Sequence, residues 1–422
     1  MEPQAHVRDE VSHLFRHESG KMVSVLTRIF GAHNIDLVED VVQDTLLKAL
    51  EQWRFGGIPD NPSGWLYTVA KNKALDLIRR EKLKNSFTED ISYLLRSEYT
   101  VIPTLHELFT ESEIQDDQLR MMFVCCHPSI SQETQVALIL KTLCGFSVGE
   151  IAAAFITNEE TIQKRIYRGK QVLRDEKIKV ELPAAAQLEI RLEGVLQALY
   201  LLFNEGYSSA SADEVIRTDL IEEALRLAVM LTENPLTALP QVYALVALIS
   251  FHSARLAARI DTSGNILLLA DQDRSKWDTA LIARGLEYIN RSASGAEIST
   301  YHIEAAIAAV HSTAATSAET DWRLVVELYD KLYRKNGSPV TALNRAIAIA
   351  ERSGAEAGLE AIFSIPNLEL LKDYFLLPAT LGEFYSRLHN NEKAREYFMH
   401  ALELTHSSRE KKLLEQKLAR CF

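Results

Sequence analysis

Apolar residues recur at three- and four-residue spacing along most of this chain, the pattern of helices that bury one face. The pattern is clean over residues 36–50, where Val38, Val41, Val42, Thr45, Leu46 and Ala49 share a face. Glu39, Asp40, Gln43 and Asp44 make the opposite face acidic. After the Gly/Pro-rich loop FGGIPDNPSG, residues 64–80 form a second helix, with Trp65, Leu66, Val69 and Leu77 as candidates for core. Further on, Ile151, Ala154 and Phe155 mark a short helix. Thr157-Asn158-Glu159-Glu160 supplies turn and cap chemistry, and Ile162, Ile166 and Leu173 stripe the helix that follows. Where the commonest pattern for such a helix pair has glycine, this chain has Ile156, so Asn158, which tolerates left-handed backbone, is expected to take the bend. Strands are hard to find. Only residues 264–269 (GNILLL) fit one, and they fit a short buried helix equally well. The expected class is all-α.

The same pattern places the boundaries. Residues 85–115 show no sustained period and are expected to link two helical modules, 8–84 and 116–180. Glu181-Leu182-Pro183 then opens an extension richer in alanine and leucine, divided at about residue 290 into 184–290 and 291–422. Near its end Leu381, Gly382, Tyr385, Ala394, Phe398 and Ala401 fall at the spacings of a tetratricopeptide repeat, a unit of about 34 residues. Residues 322–363 match more weakly, and His406 stands where a closing proline is usual. A short superhelical array and an antiparallel bundle both satisfy this pattern.

Charge adds a direction. The 422-residue chain carries a net charge of −12, and residues 1–182 hold 22 cations against 27 anions. The cations are concentrated instead: residues 64–84 contain six against two anions. Basic residues interleaved with aromatics suit a single nucleic-acid strand, whose phosphates take cations and whose unstacked bases take flat faces. On the helix after Asn158, Gln163, Lys164, Arg165, Tyr167, Arg168 and Lys170 crowd the faces outside the apolar stripe. A helix fits the DNA major groove, where amides and guanidiniums pair with base edges and cations hold phosphates. An acidic protein with these local cations is expected to bind DNA weakly alone, since phosphate contacts dominate affinity.

Other chemistry is sparse. No apolar run is long enough to span a bilayer, and the start MEPQAHVRDEV is unlike a signal peptide, so a cytoplasmic protein with no membrane partner is expected. Cys125, Cys126, Cys144 and Cys421 lack disulfide-framework spacing. Adjacent cysteines chelate one ion poorly, so Cys125-Cys126-His127 is expected to be buried helix rather than a metal site. No cofactor and no enzyme activity are expected, because Glu205, Asp271, Asp273, His302 and His311 come without a phosphate loop, ligand spacing or nucleophile motif.

Taken in order, LVEDVVQDTLLKAL, GWLYTVAKNKALDLIRR and the downstream helix-turn-helix resemble regions 2 and 4 of an RNA polymerase sigma factor. The likeness is to the extracytoplasmic function group and covers about the first 180 residues. It implies that Leu37, Asp40, Val41, Gln43, Asp44 and Leu47 dock on core RNA polymerase. It implies that Trp65, Lys71, Asn72, Asp76, Arg79 and Arg80 hold the melted −10 element, and that residues Thr161 to Lys170 meet the duplex −35 element. Within residues 192–285, FNEGYS and LLADQDRSKWD resemble the helical extension of one subgroup, which implies regulation through a protein or ligand bound there. Asn204 to Tyr207, and Asp271 to Arg274 with Trp277, line a ligand pocket or supply caps and turns, the second being the simpler account. The rival function is a stand-alone helix-turn-helix activator with a helical-repeat sensor, which has no use for a strand-opening segment.

Overall fold

The computed structural model describes residues 2–79, 98–155, 157–207, 217–261, 265–295, 297–405 and 407–421. Helix accounts for 78% of it, and among the described residues there is no strand. Of the run 264–269, the described residues 265–269 are neither strand nor buried helix. Gly264 lies outside the described residues, Ile266 makes one isolated antiparallel bridge to Ile260, and Leu268 is exposed ahead of a 3-10 turn. The chain divides into two compact units, residues 1–202 and 203–422.

The first unit is built on α1 (Glu2–Phe30), whose Met22, Leu26, Ile29 and Phe30 are fully buried. Around it pack α2 (Ile35–Gly56), α3 (Pro62–Arg79) and α5 (Glu111–Cys125). Gly57, at φ 77°, ends α2; Asn61 Oδ1 accepts from the Gly64 amide (2.9 Å) at the start of α3. The expected linker is in part structured: α4 (Glu98–Leu108) is helical, and its Leu105 and Leu108, with Phe109, join the core of α1–α3. Pro103 inside α4 is what breaks the periodic pattern there. α5 begins at Glu111, ahead of the expected start at 116, with Glu111 and Glu113 at the positive end of the helix dipole.

The rest of this unit is α6 (Gln132–Leu138), continued by a π-helical turn (Ile139–Leu143), then α7 (Val148–Ala154) and α8 (Glu159–Asp175). The π turn lies against α1 so closely that a Cβ on Gly20 would sit 1.9 Å from the Leu143 carbonyl oxygen. Only glycine permits that approach. α9 (Ala185–Tyr207) carries the chain into the second unit.

The second unit begins with α10 (Thr218–Glu233), α11 (Pro240–Ala254), α12 (Thr279–Ser292) and α13 (Thr300–Thr313). α11 is apolar all round, as a helix surrounded by others must be. Residues Pro240–Ala258 are long and apolar enough to cross a membrane by length and composition, yet here α11 is the core about which α10, α12 and α13 pack. Next come α14 (Trp322–Asn336), α15 (Pro339–Ser353), α16 (Ala355–Phe363), α17 (Leu376–Arg387), α18 (Asn391–Leu404) and α19 (Ser408–Ala419), each packed chiefly on its sequence neighbours. Ala394, Phe398 and Ala401 are fully buried, and Gly382 lets α17 meet the Phe398 ring.

Candidate nucleic-acid and polymerase interface

α2 presents Asp40, Gln43, Asp44 and Leu47 to solvent, with Leu37 half-buried beside them. Leu47 is 57% exposed, an apolar side chain on an acidic face. Val41 differs: it is 5% exposed and belongs to the core with Val38 and Val42. A contact through Val41 is therefore closed by packing. Asp44 accepts from Lys73 Nζ at 2.9 Å, tying α2 to α3.

On α3, Asn72, Asp76 and Arg79 are exposed at spacings of four and three, hence on one face. Arg80 lies outside the described residues. Trp65 is largely packed, edge-on to Trp53 with ring centres 5.4 Å apart. Lys71 is half-buried, 3.3 Å from His106 Nδ1 and 5.9 Å from the Phe109 ring centre, and burial lowers its pKa. Both residues are thus placed by the core rather than free to sweep.

α7 and α8 form the expected helix pair, but the turn is made differently. Asn158 is extended (φ −86°, ψ 156°), not left-handed, and its Oδ1 caps α8 by accepting from the Thr161 amide at 2.8 Å. Ile156 lies outside the described residues. Ile162, Ile166, Gly169 and Leu173 are buried; Gln163, Lys164, Tyr167 and Arg168 are exposed, and Thr161 is half-buried. Lys164 reaches back one turn to Glu160 (2.6 Å), and Arg165 pairs with Glu133 of α6 (2.6 Å).

Lys170 is not on that outer face. It is 12% exposed and sits between Glu39 (2.8 Å) and Asp36 (3.0 Å) of α2, while Arg174 also pairs with Asp36 (2.7 Å). Burial works to lower the Lys170 pKa, and the Glu39 and Asp36 carboxylates outweigh it, leaving it above the ordinary value. In this arrangement Lys170 is committed to carboxylates rather than open to phosphate. Further pairs fasten α1 to the later helices: Arg16 to Glu150, and Arg28 to Glu113 (2.5 Å) and the buried Asp117 (3.3 Å). No local pattern announces these contacts, whose partners stand 85 to 138 positions apart.

Cys125 and Cys126 are core residues. Cys125 Sγ lies 3.3 Å from Thr142 Oγ1, and burial pushes its thiol up to about 12. Among the described residues, no three His, Cys, Asp or Glu side chains gather as a metal ion would need.

With this geometry in place, the relatives settle what kind of protein it is. The family model for sigma-70 region 2 matches residues 14–83, the span of α2 and α3 with most of α1. A stretch of 163 residues, 38% of this chain and 59% of the relative, is 26% identical to the ECF RNA polymerase sigma factor SigE of Mycolicibacterium smegmatis. This chain belongs to the sigma-70 family, in its extracytoplasmic function group. An uncharacterized protein of Rhizobium meliloti (strain 1021) is 34% identical over 402 residues, 94% of each chain, so the likeness runs through the long extension as well. Within that extension residues 191–293 match a family of unknown function (DUF6596). No solved structure matches this sigma factor.

Proposed function

We propose that this sigma factor docks on core RNA polymerase through the exposed face of α2, holds the melted −10 strand along α3, and meets the −35 duplex with α8. In this reading residues 8–84 act as region 2, residues 116–180 as region 4, and residues 184–422 as a regulatory extension. Polymerase performs the chemistry, so the protein works in the cytoplasm and brings only binding energy. The observation that carries the reading is that three separate solvent-facing sets stand on one frame: Asp40, Gln43, Asp44 and Leu47; Asn72, Asp76 and Arg79; Gln163 and Arg168. A flipped or unstacked base costs a few kcal/mol, which a fixed aromatic and cationic surface on α3 offsets.

Two measurements test it on the full chain. In competition with the housekeeping sigma factor for core polymerase, the wild type is expected to bind and Leu47→Asp to lose most of its share. Arg168→Ala is expected to lower transcription from the cognate promoter roughly tenfold, the effect of about 1.4 kcal/mol of lost base or phosphate contact, with core binding unchanged. Failure of the wild type to compete for core would leave the stand-alone activator as the better account.

A further inference from the structure

We propose that the second unit contains a binding site for a small phosphorylated ligand, held by the guanidiniums of Arg255, Arg259 and Arg274. The three come from the end of α11, the turn after it, and the 3-10 turn Arg274–Lys276. All three fall within the residues matched to the family of unknown function.

Their partners are of one kind. Arg259 lies 3.8 Å from the Tyr207 ring centre and donates to the Tyr207 carbonyl (2.5 Å). Arg255 lies 5.5 Å from the same ring and 3.0 Å from His252 Nδ1. Arg274 donates to the carbonyls of His311 (2.5 Å) and Ala314 (2.7 Å), with its guanidinium 4.5 Å from the Trp277 ring centre. Rings and carbonyls orient a guanidinium without neutralising it. No carboxylate forms an ion pair with any of the three among the described residues. Other arginines of this unit do pair: Arg226 with Glu223, Arg345 with Asp330, Arg387 with Glu351 and Glu383. Asp273, the nearest acid in sequence to Arg274, is turned to the Ser275 amide and hydroxyl instead. Glu319 acts on Arg274 only at longer range.

The same place collects unused hydrogen-bonding atoms. Arg274 Nη2, Trp277 Nε1 and His311 Nδ1 are all buried and have no hydrogen-bond partner among the described residues, and Trp277 as a whole is 5% exposed. A buried polar atom left unpaired is costly, so several in one cluster point to a partner that arrives from outside. His252 and His311 have lowered pKa values, from burial first and then from the neighbouring arginines, so they add hydrogen bonding without further positive charge.

Guanidinium forks match phosphate oxygens two at a time, and three of them suit a dianion better than a single carboxylate. The half-buried Tyr207 ring supplies flat surface for an organic group attached to it. The site deepens the reading of the extension as regulatory and rests on that reading only for its consequence, since ligand binding is measured without polymerase or promoter.

The test is the melting temperature of the full-length protein titrated with inorganic phosphate and with phenyl phosphate, each against chloride at equal ionic strength. A saturable rise is expected for the wild type, larger with phenyl phosphate if an ester is the natural ligand and equal for both if phosphate alone is. Arg255→Gln is expected to weaken the apparent affinity at least roughly tenfold. Without anion, the same variant is expected to melt no lower than wild type, because a like-charge neighbour has been removed. Arg259→Gln gives a second, independent reading. A wild type indifferent to both anions overturns the site. So do variants that melt lower without anion yet keep the full phosphate response, which would make the cluster structural.

Discussion

At the residue scale, chemistry is decided by what surrounds each side chain. Asn158 stands out in the sequence for its tolerance of left-handed backbone, but it serves through its side-chain oxygen as the cap of α8. Asn158→Ala is expected to cost about 0.5–2 kcal/mol, seen as a lower Tm, whereas Asn158→Asp keeps the cap and costs little. His311 gives a pH-dependent counterpart. Its pKa is lowered to about 4, by burial first and then by Arg255 and Arg274. Below pH 6.5 the unfolded chain takes up a proton that the native state refuses until about pH 4, so stability falls as pH drops through that window. His252 acts in the same direction. His311→Gln is expected to make the fall in Tm between pH 6.5 and 4 shallower, and an unchanged slope would show that the imidazole is not held neutral.

At the scale of elements, close approach matters more than propensity. Gly20 on α1 leaves no room for a Cβ beneath the Leu143 carbonyl, a backbone atom that cannot rotate away. Gly20→Ala is expected to force α1 and the π turn apart and to destabilise by about 1–3 kcal/mol, read from chemical unfolding. The apolar stripes of α2 and α8 were legible because each is a regular amphipathic helix whose periodicity is written in adjacent turns. α4 was not, because Pro103 interrupts its spacing while Leu105 and Leu108 still reach the core. Residues 264–269 misled for the opposite reason: a short apolar run has no period to separate strand from turn.

At the scale of the first unit, α8 is fastened to α2 by Lys170 and Arg174 on Asp36 and Glu39, and α1 to the later helices by Arg16 and Arg28. The Lys170–Glu39 pair is the best shielded of those on α8, with side chains 12% and 13% exposed, and so the least screened by salt. Glu39→Gln combined with Asp36→Asn is expected to free both cations of α8. Affinity for duplex DNA should rise, and the dependence of log K on log salt should steepen by up to about one unit for each additional phosphate neutralised. Equal salt slopes in variant and wild type would mean that these cations do not reach phosphate.

The sequence by itself determined the helical class, the amphipathic faces of α2, α3 and α8, and the membership of the sigma-70 family, because periodicity and motif order are properties of neighbouring residues. Only the tertiary structure decided which of those residues are available. Val41 is withdrawn into the core and Lys170 onto two carboxylates. It also gathered Tyr207, Arg255, Arg274 and His311 into one cationic cluster. Burial and long-range charge pairing depend on which distant segments meet, and no spacing within a single helix encodes that.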